Sequence, residues 1–170
     1  MGVGAIVSCG DVTIRQMTED DLREVLRIED SIFGSPWSRR SFEYELNSDI
    51  AICTVASCKD RVIGYVCTQA LLGQAYILKL AVHSGFRRQN VATLLIGNTL
   101  EVLRGLACQE ILLESRRSNE PALRLYEGFG FKWLSVRRQY YTDPTEDAIT
   151  MILRTNTPYN ANAGGLIRRG

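Results

Sequence analysis

The chain has 170 residues, 45% of them hydrophobic and 23% charged, which suits one globular domain with a real core and excludes a disordered or fibrous chain. Its net charge is +1, and the basic residues are scattered apart from short pairs such as Arg87-Arg88, Arg116-Arg117 and Arg137-Arg138, so composition gives no pull toward nucleic acid. Five cysteines without a Cys-x-x-Cys pair and a single histidine, His83, supply no metal-ligand spacing; no metal is expected, and the thiols read mostly as small core or surface residues in a reducing compartment.

The opening "MGVGAIVSCG" lacks a basic leader, its apolar run is too short for a signal peptide or a membrane span, and Ile6 stands where a myristoylation motif needs Ser or Thr. The expectation is a soluble, cytoplasmic protein with no membrane partner. A strand is predicted near Val12–Arg15, followed by a helix capped by Thr18, with Asp21 at the third position and an apolar stripe of Leu22, Val25, Leu26 and Ile28. Pro36 breaks the chain before a second short helix carrying Phe42 and Leu46. "IAICTVAS" and "VIGYVCTQALL" read as a hairpin joined by "CKDR", and "AYILKLAV" as a further strand.

The polar loop "SGFRRQN" then leads into a helix from about Val91 to Leu106. "EILLE" is a short buried strand, "EPALRLYEGFGF" a helix with Pro121 in its first turn and Gly128 or Gly130 at its end, and "FKWLSVRRQYY" and "DAITMIL" close the sheet. The order β-α-α-β-β-β-α-β-α-β-β makes a mixed α/β domain. Its expected bounds are 12–154, with an N-terminal extension over 1–11 and an Asn- and Gly-rich flexible tail over 155–170.

Strand, polar loop, helix and strand form a crossover, so the strands on either side should be parallel. The start of such a helix presents unpaired N–H groups and partial positive charge, a natural seat for phosphate. Arg87 and Arg88 add charge, small Ala92 lets a ligand approach the backbone, and Asn90 suits a left-handed turn. A solvated basic loop with an Asn turn explains the same residues.

Arg87-x-x-Asn90-x-Ala92 resembles the Arg/Gln-x-x-Gly-x-Gly/Ala signature of the GNAT family of acetyl-coenzyme A-dependent N-acetyltransferases, with Asn90 in place of a glycine. "LLESRRSNEPALRLYEGFGF", "FGSPWSRRSF" and "RRQYYTDPTEDAITMIL" resemble segments of its RimI-type members, which acetylate the N-termini of ribosomal and other proteins; Ser115 replaces the usual valine. The resemblance runs from Val12 to Leu153. It implies the GNAT fold, a mostly antiparallel sheet with one parallel pair around a cofactor cleft. It further implies that Arg87, Arg88, Gln89, Asn90, Val91, Ala92 and Thr93 wrap the pyrophosphate of acetyl-coenzyme A, and that Leu80, Ala81 and Val82 pair with its pantetheine arm.

By the same resemblance Glu114 is the general base, acting through water, and Tyr126 the general acid for the departing thiolate. Asn119 caps a helix and also contacts the cofactor. Phe33, Gly34, Ser35, Pro36, Trp37, Tyr140 and Tyr141 form the groove for the acceptor chain. Each has a plainer structural reading: Glu114 in a salt bridge to Arg116 or Arg117, Tyr126 as core, Trp37 and Tyr140 plugging the interior, and His83 on a surface loop. Glu146 and Asp147 either order the last hairpin or meet the acceptor's amino group. With no cysteine placed as a nucleophile, transfer is expected to be direct, in a ternary complex. The acceptor is a protein N-terminus in the leading reading, and a lysine or small amine in the first alternative. A non-catalytic acetyl-coenzyme A-binding module is the second. Oligomeric state is not encoded legibly.

Overall fold

The structure, a computed structural model, describes residues 10–156. Most of the expected N-terminal extension, and all but the first two residues of the expected tail, lie outside the described residues. Seven strands run in the order β1-β2-β3-β4-β5-β7-β6: β1 (Thr13–Gln16), β2 (Ala51–Cys58), β3 (Arg61–Leu71), β4 (Gln74–Val82), β5 (Glu110–Arg116), β6 (Lys132–Thr142) and β7 (Thr145–Arg154). Four α-helices join them: α1 (Leu22–Ile32), α2 (Arg39–Leu46), α3 (Val91–Gly105) and α4 (Glu120–Gly128). Every predicted element is present, in the predicted order. No helix among the described residues is long and apolar enough to cross a membrane.

The chain forms two compact units, one running through Thr68 and resuming over Lys79–Glu101, the other comprising Gln69–Leu78 and the chain from Val102 onward. In the first, β1 pairs antiparallel with β2, from Thr13↔Ser57 to Gln16↔Thr54. Thr18 and Asp21 form the expected capping box over a 3-10 turn that runs into α1. Asp21 also takes two hydrogen bonds, at 2.7 and 2.6 Å, from the Arg15 guanidinium, which fastens β1 to the helix start. The core gathers Met17, Leu22, Val25, Ile28, Phe42, Val55 and Tyr65, with Phe33 and Trp37 half-buried against it. The β2–β3 hairpin turns through Lys59 and Asp60, at φ 47 and 62, the left-handed pair a two-residue turn demands.

In the second unit β4 and β5 pair in parallel from Gln74↔Glu110 to Ile77↔Leu113, as a crossover requires. β5 is antiparallel to β7 over its whole length, and β7 is antiparallel to β6, with register shifts between Trp133 and Ser135 and between Arg137 and Tyr141. α4 ends in a Schellman motif: Phe131 N–H donates to the Tyr126 carbonyl at 3.1 Å, and Gly130 N–H to the Glu127 carbonyl at 2.9 Å. Gly130 takes φ +93 there, and the Tyr126 and Phe131 rings meet edge-on at 5.8 Å, the apolar contact that accompanies the motif. Of the predicted stopping points, Gly130 is the left-handed one.

The thiols of Cys53, Cys67 and Cys108 are free and buried, as composition suggested. Cys58 departs from that expectation because it is disulfide-bonded.

Candidate active site

The anion-seat expectation rests on the stretch from His83 to Thr93, in the first unit. A 3-10 turn over Ser84–Phe86 follows β4, with Phe86 buried. His83 is half-buried rather than a free surface side chain: its Nδ1 accepts from Gly85 N–H at 3.1 Å, and its ring stands 5.7 Å from Phe86. Beyond it the backbone is left-handed at both Arg88 (φ 62) and Asn90 (φ 61). The Asn90 turn was legible in the sequence; the one at Arg88 was not, because arginine carries no signal for that conformation. Two left-handed residues so close together turn the chain tightly just before α3, at the helix end where N–H groups are free to meet an anion.

The first intrahelical bond of α3 is Leu94 N–H to the Asn90 carbonyl at 2.9 Å, so the N–H groups of Val91, Ala92 and Thr93 precede it. Arg87 and Arg88 are exposed, and Gln89 bridges back to the Gly85 carbonyl at 3.3 Å. Leu80, Ala81 and Val82 form the end of β4. Gly64 on β3 is pressed against this end; a Cβ there would lie 3.0 Å from the Ala81 carbonyl oxygen and 3.2 Å from Leu95 Cδ1. These features fit a diphosphate and its attached chain.

The expected acid–base residues lie in the second unit. Glu114, Arg116 and Arg137 share one sheet face, because Glu114 stands opposite Thr150, Thr150 opposite Ser135, and Arg116 and Arg137 both opposite Ala148. Glu114 pairs with Arg137, Nη1 to Oε1 at 2.5 Å, and not with Arg116 or Arg117. It also accepts a hydrogen bond from Tyr140, which pushes that phenol above its ordinary value. Tyr140 is 45% exposed, so it does not plug the core. Its ring lies under Arg137 (4.4 Å) and edge-on to Tyr141 (5.2 Å), while Arg116 covers Tyr141 at 4.2 Å. Sequence reasoning missed Arg137, whose position depends on strand register.

Glu146 and Asp147 order the hairpin. Glu146 accepts from Ser118 N–H at 2.5 Å and from Arg116 at 3.3 Å, and Asp147 accepts from Gln139 N–H at 2.9 Å. The bonds to Glu146, led by the one from Ser118, hold its carboxyl below the usual range. Tyr126 is buried, and burial, then its neighbour Tyr141, raises its phenol above the ordinary value. Asn119 caps α4, accepting from Ala122 N–H at 3.4 Å. Glu114, Tyr126, Tyr140 and Tyr141 are thus brought into one chemical neighbourhood.

In the first unit, Phe33 and Trp37 bracket an ion pair that the sequence did not announce. Glu29 is fully buried on α1 and accepts from Lys79 Nζ at 2.7 Å, from Trp37 N–H at 2.7 Å and from the Tyr65 hydroxyl. Trp37 meets Phe42 edge-on at 5.3 Å, so it is partly core as well. Gly34, Ser35 and Pro36 lie between the two aromatics, with Ser35 and Pro36 exposed.

Residues 22–131 match the acetyltransferase (GNAT) family. The chain is 31% identical over 145 residues, covering 83% of itself and 96% of the relative, to the ribosomal protein bS18-alanine N-acetyltransferase of Salmonella typhimurium. It is 29% identical over 145 residues to N-alpha-acetyltransferase 30 of Dictyostelium discoideum, covering 83% of itself and 78% of that protein. The crystal structure of the Escherichia coli ribosomal-protein-S18-alanine N-acetyltransferase superposes with a TM-score of 0.81 at 28% identity, over 89% of this chain and 98% of that one. The left-handed loop before α3, the parallel β4–β5 pair and these matches lead to one conclusion: the chain belongs to the GNAT acetyltransferase family and is an acetyl-coenzyme A-dependent N-acetyltransferase.

Proposed function

We propose that this enzyme transfers the acetyl group of acetyl-coenzyme A to the α-amino group of protein N-termini, ribosomal proteins among them, by direct attack in a ternary complex. The observation that carries the reading is the tie between Glu114 and the aromatic hairpin, through Tyr140 and Arg137, together with relatives named for acetylating N-terminal alanine and α-amino groups.

The α-amine has an ordinary pKa of about 8 against about 10.4 for lysine, so less free energy is needed to present it neutral at working pH. Arg87 to Thr93 hold the diphosphate, with backbone N–H groups supplying most of the grip, and the Leu80–Val82 backbone aligns the pantetheine arm. The amine nitrogen attacks the carbonyl carbon as the carbon–sulfur bond breaks. Glu114 receives the proton released by the amine through a water molecule. Tyr126 donates its proton to the departing sulfur, a role suited to a phenol kept protonated by burial. The family resemblance assigns acceptor contact to Phe33, Gly34, Pro36 and Trp37 in the first unit and, separately, to Tyr140 and Tyr141 in the second.

Acetyl transfer to one peptide, with its N-terminus either free or blocked and a lysine in both forms, tests the acceptor class. Blocking abolishes turnover; persistent acetylation of the lysine overturns the assignment. Glu114→Gln and Tyr126→Phe each lower kcat by about 10² to 10⁴, and turnover near wild type would remove their roles.

A further inference from the structure

The ion pair between Glu29 and Lys79 is built asymmetrically. The carboxylate side chain has 0% exposure and the lysine 13%. Three donors close around the carboxylate: Trp37 N–H, Lys79 Nζ and the Tyr65 hydroxyl. Lys79 Nζ lies 3.8 Å from the centre of the Phe33 ring and 5.4 Å from that of Trp37. The negative end is therefore sealed inside, and the positive end is turned toward the two aromatics that flank the 33–37 loop. Such a pair is no obvious gain in stability, since an apolar replacement of similar volume does about as well. Its carboxylate fixes the loop through the Trp37 backbone, and its ammonium gives that loop an electropositive floor.

We propose that Lys79 is a specificity-determining residue, favouring acceptor polypeptides whose first side chain is acidic and disfavouring those that begin with a cation. The inference rests on the reading of Phe33–Trp37 as the acceptor loop. Discrimination arises as a difference between two affinities, and a cation in a poorly hydrated wall both attracts a carboxylate and repels a guanidinium. Glu29 acts as a positioning residue: it orients the loop and moderates the charge of Lys79.

The test compares kcat/KM for three peptides identical except for a first residue of Asp, Asn or Arg. The wild-type enzyme prefers Asp to Arg. Glu29→Gln keeps an oxygen for the Trp37 N–H but leaves the ammonium unneutralised, so the Asp/Arg ratio rises roughly tenfold. Lys79→Met leaves the carboxylate alone, and the ratio falls by a similar factor, below one. The double variant E29Q/K79M, neutral and of similar volume, lies between wild type and Lys79→Met, and guards against a single variant that folds poorly. A loss of packing scales all three peptides together and cannot produce this order. Ratios that stay within twofold across the four enzymes overturn the role of Lys79. Phe33→Ala separates that failure from failure of the acceptor-loop reading: KM unchanged for every peptide removes the loop itself. KM raised for every peptide, with charge-independent ratios, removes Lys79 alone.

Discussion

At the scale of single residues, the chemistry depends on how the fold treats a few ionisable groups. Tyr126 closes the last turn of α4 with its ring against Phe131, and burial, reinforced by Tyr141, raises its phenol above the ordinary value. A raised value means that the protonated form survives as pH climbs past the usual tyrosine range of about 10. The enzyme's kcat therefore holds a plateau from about pH 8 to about pH 10, measured with acceptor peptide saturating. A fall over that interval which Tyr126→Phe abolishes would contradict the assignment of this phenol as proton donor. Glu114 illustrates the limit of reading neighbours along a strand. Arg116 is two residues away on the same face, yet the partner is Arg137, which comes from β6 by way of β7. That pairing is decided by antiparallel register and a bulge, and neither leaves a mark in local sequence.

At the scale of elements, the crossover from β4 through α3 to β5 was legible because apolar period, polar loop and strand follow one another without ambiguity. Its entry turn was half legible. Asn90 at φ 61 is a residue type that tolerates left-handed backbone, whereas Arg88 takes φ 62 without any sign of it in its residue type. Asn90→Ala is expected to destabilise the enzyme by about 1 kcal/mol, a loss of roughly 2–4 °C in Tm for a chain of this size, and to weaken coenzyme A binding. Asn90→Gly, the family's own residue, stays within about 0.5 kcal/mol of wild type, because relief of strain offsets the extra freedom of the unfolded chain. Thermal unfolding with and without coenzyme A reads both effects. α1 shows the opposite case. Its stripe of Leu22, Val25 and Ile28 was predicted, but Glu29, next along the helix, was hidden because an acid on a helix ordinarily faces water and its partner Lys79 lies fifty residues away.

For the molecule as a whole, element order, the parallel pair and the family were all legible, since they follow from motifs and periodicity that survive any detail of packing. Long-range charge placement was not. The Lys79–Glu29 pair is one such tie, whereas the Arg15–Asp21 contact spans only six residues and joins β1 to the start of α1. Burial pushes the Asp21 carboxyl upward, but hydrogen bonds from Arg15 and Thr18 outweigh it and hold the group below the usual carboxylate range. A lowered value in the folded state stabilises the protein above the unfolded aspartate's value of about 3.9, and that stabilisation is lost as pH falls through the lower one. Urea unfolding of the wild type is thus expected to weaken below about pH 4 more steeply than that of Asp21→Asn. Equal slopes would show that the contact contributes nothing to acid stability.

The bare backbone of Gly64 lies so close to the tip of β4 that a methyl group there would crowd the Ala81 carbonyl and Leu95, at 3.0 and 3.2 Å. Any side chain at position 64 would press on the strand end and on α3 at once. One substitution there is therefore expected to disturb both halves of the proposed seat together.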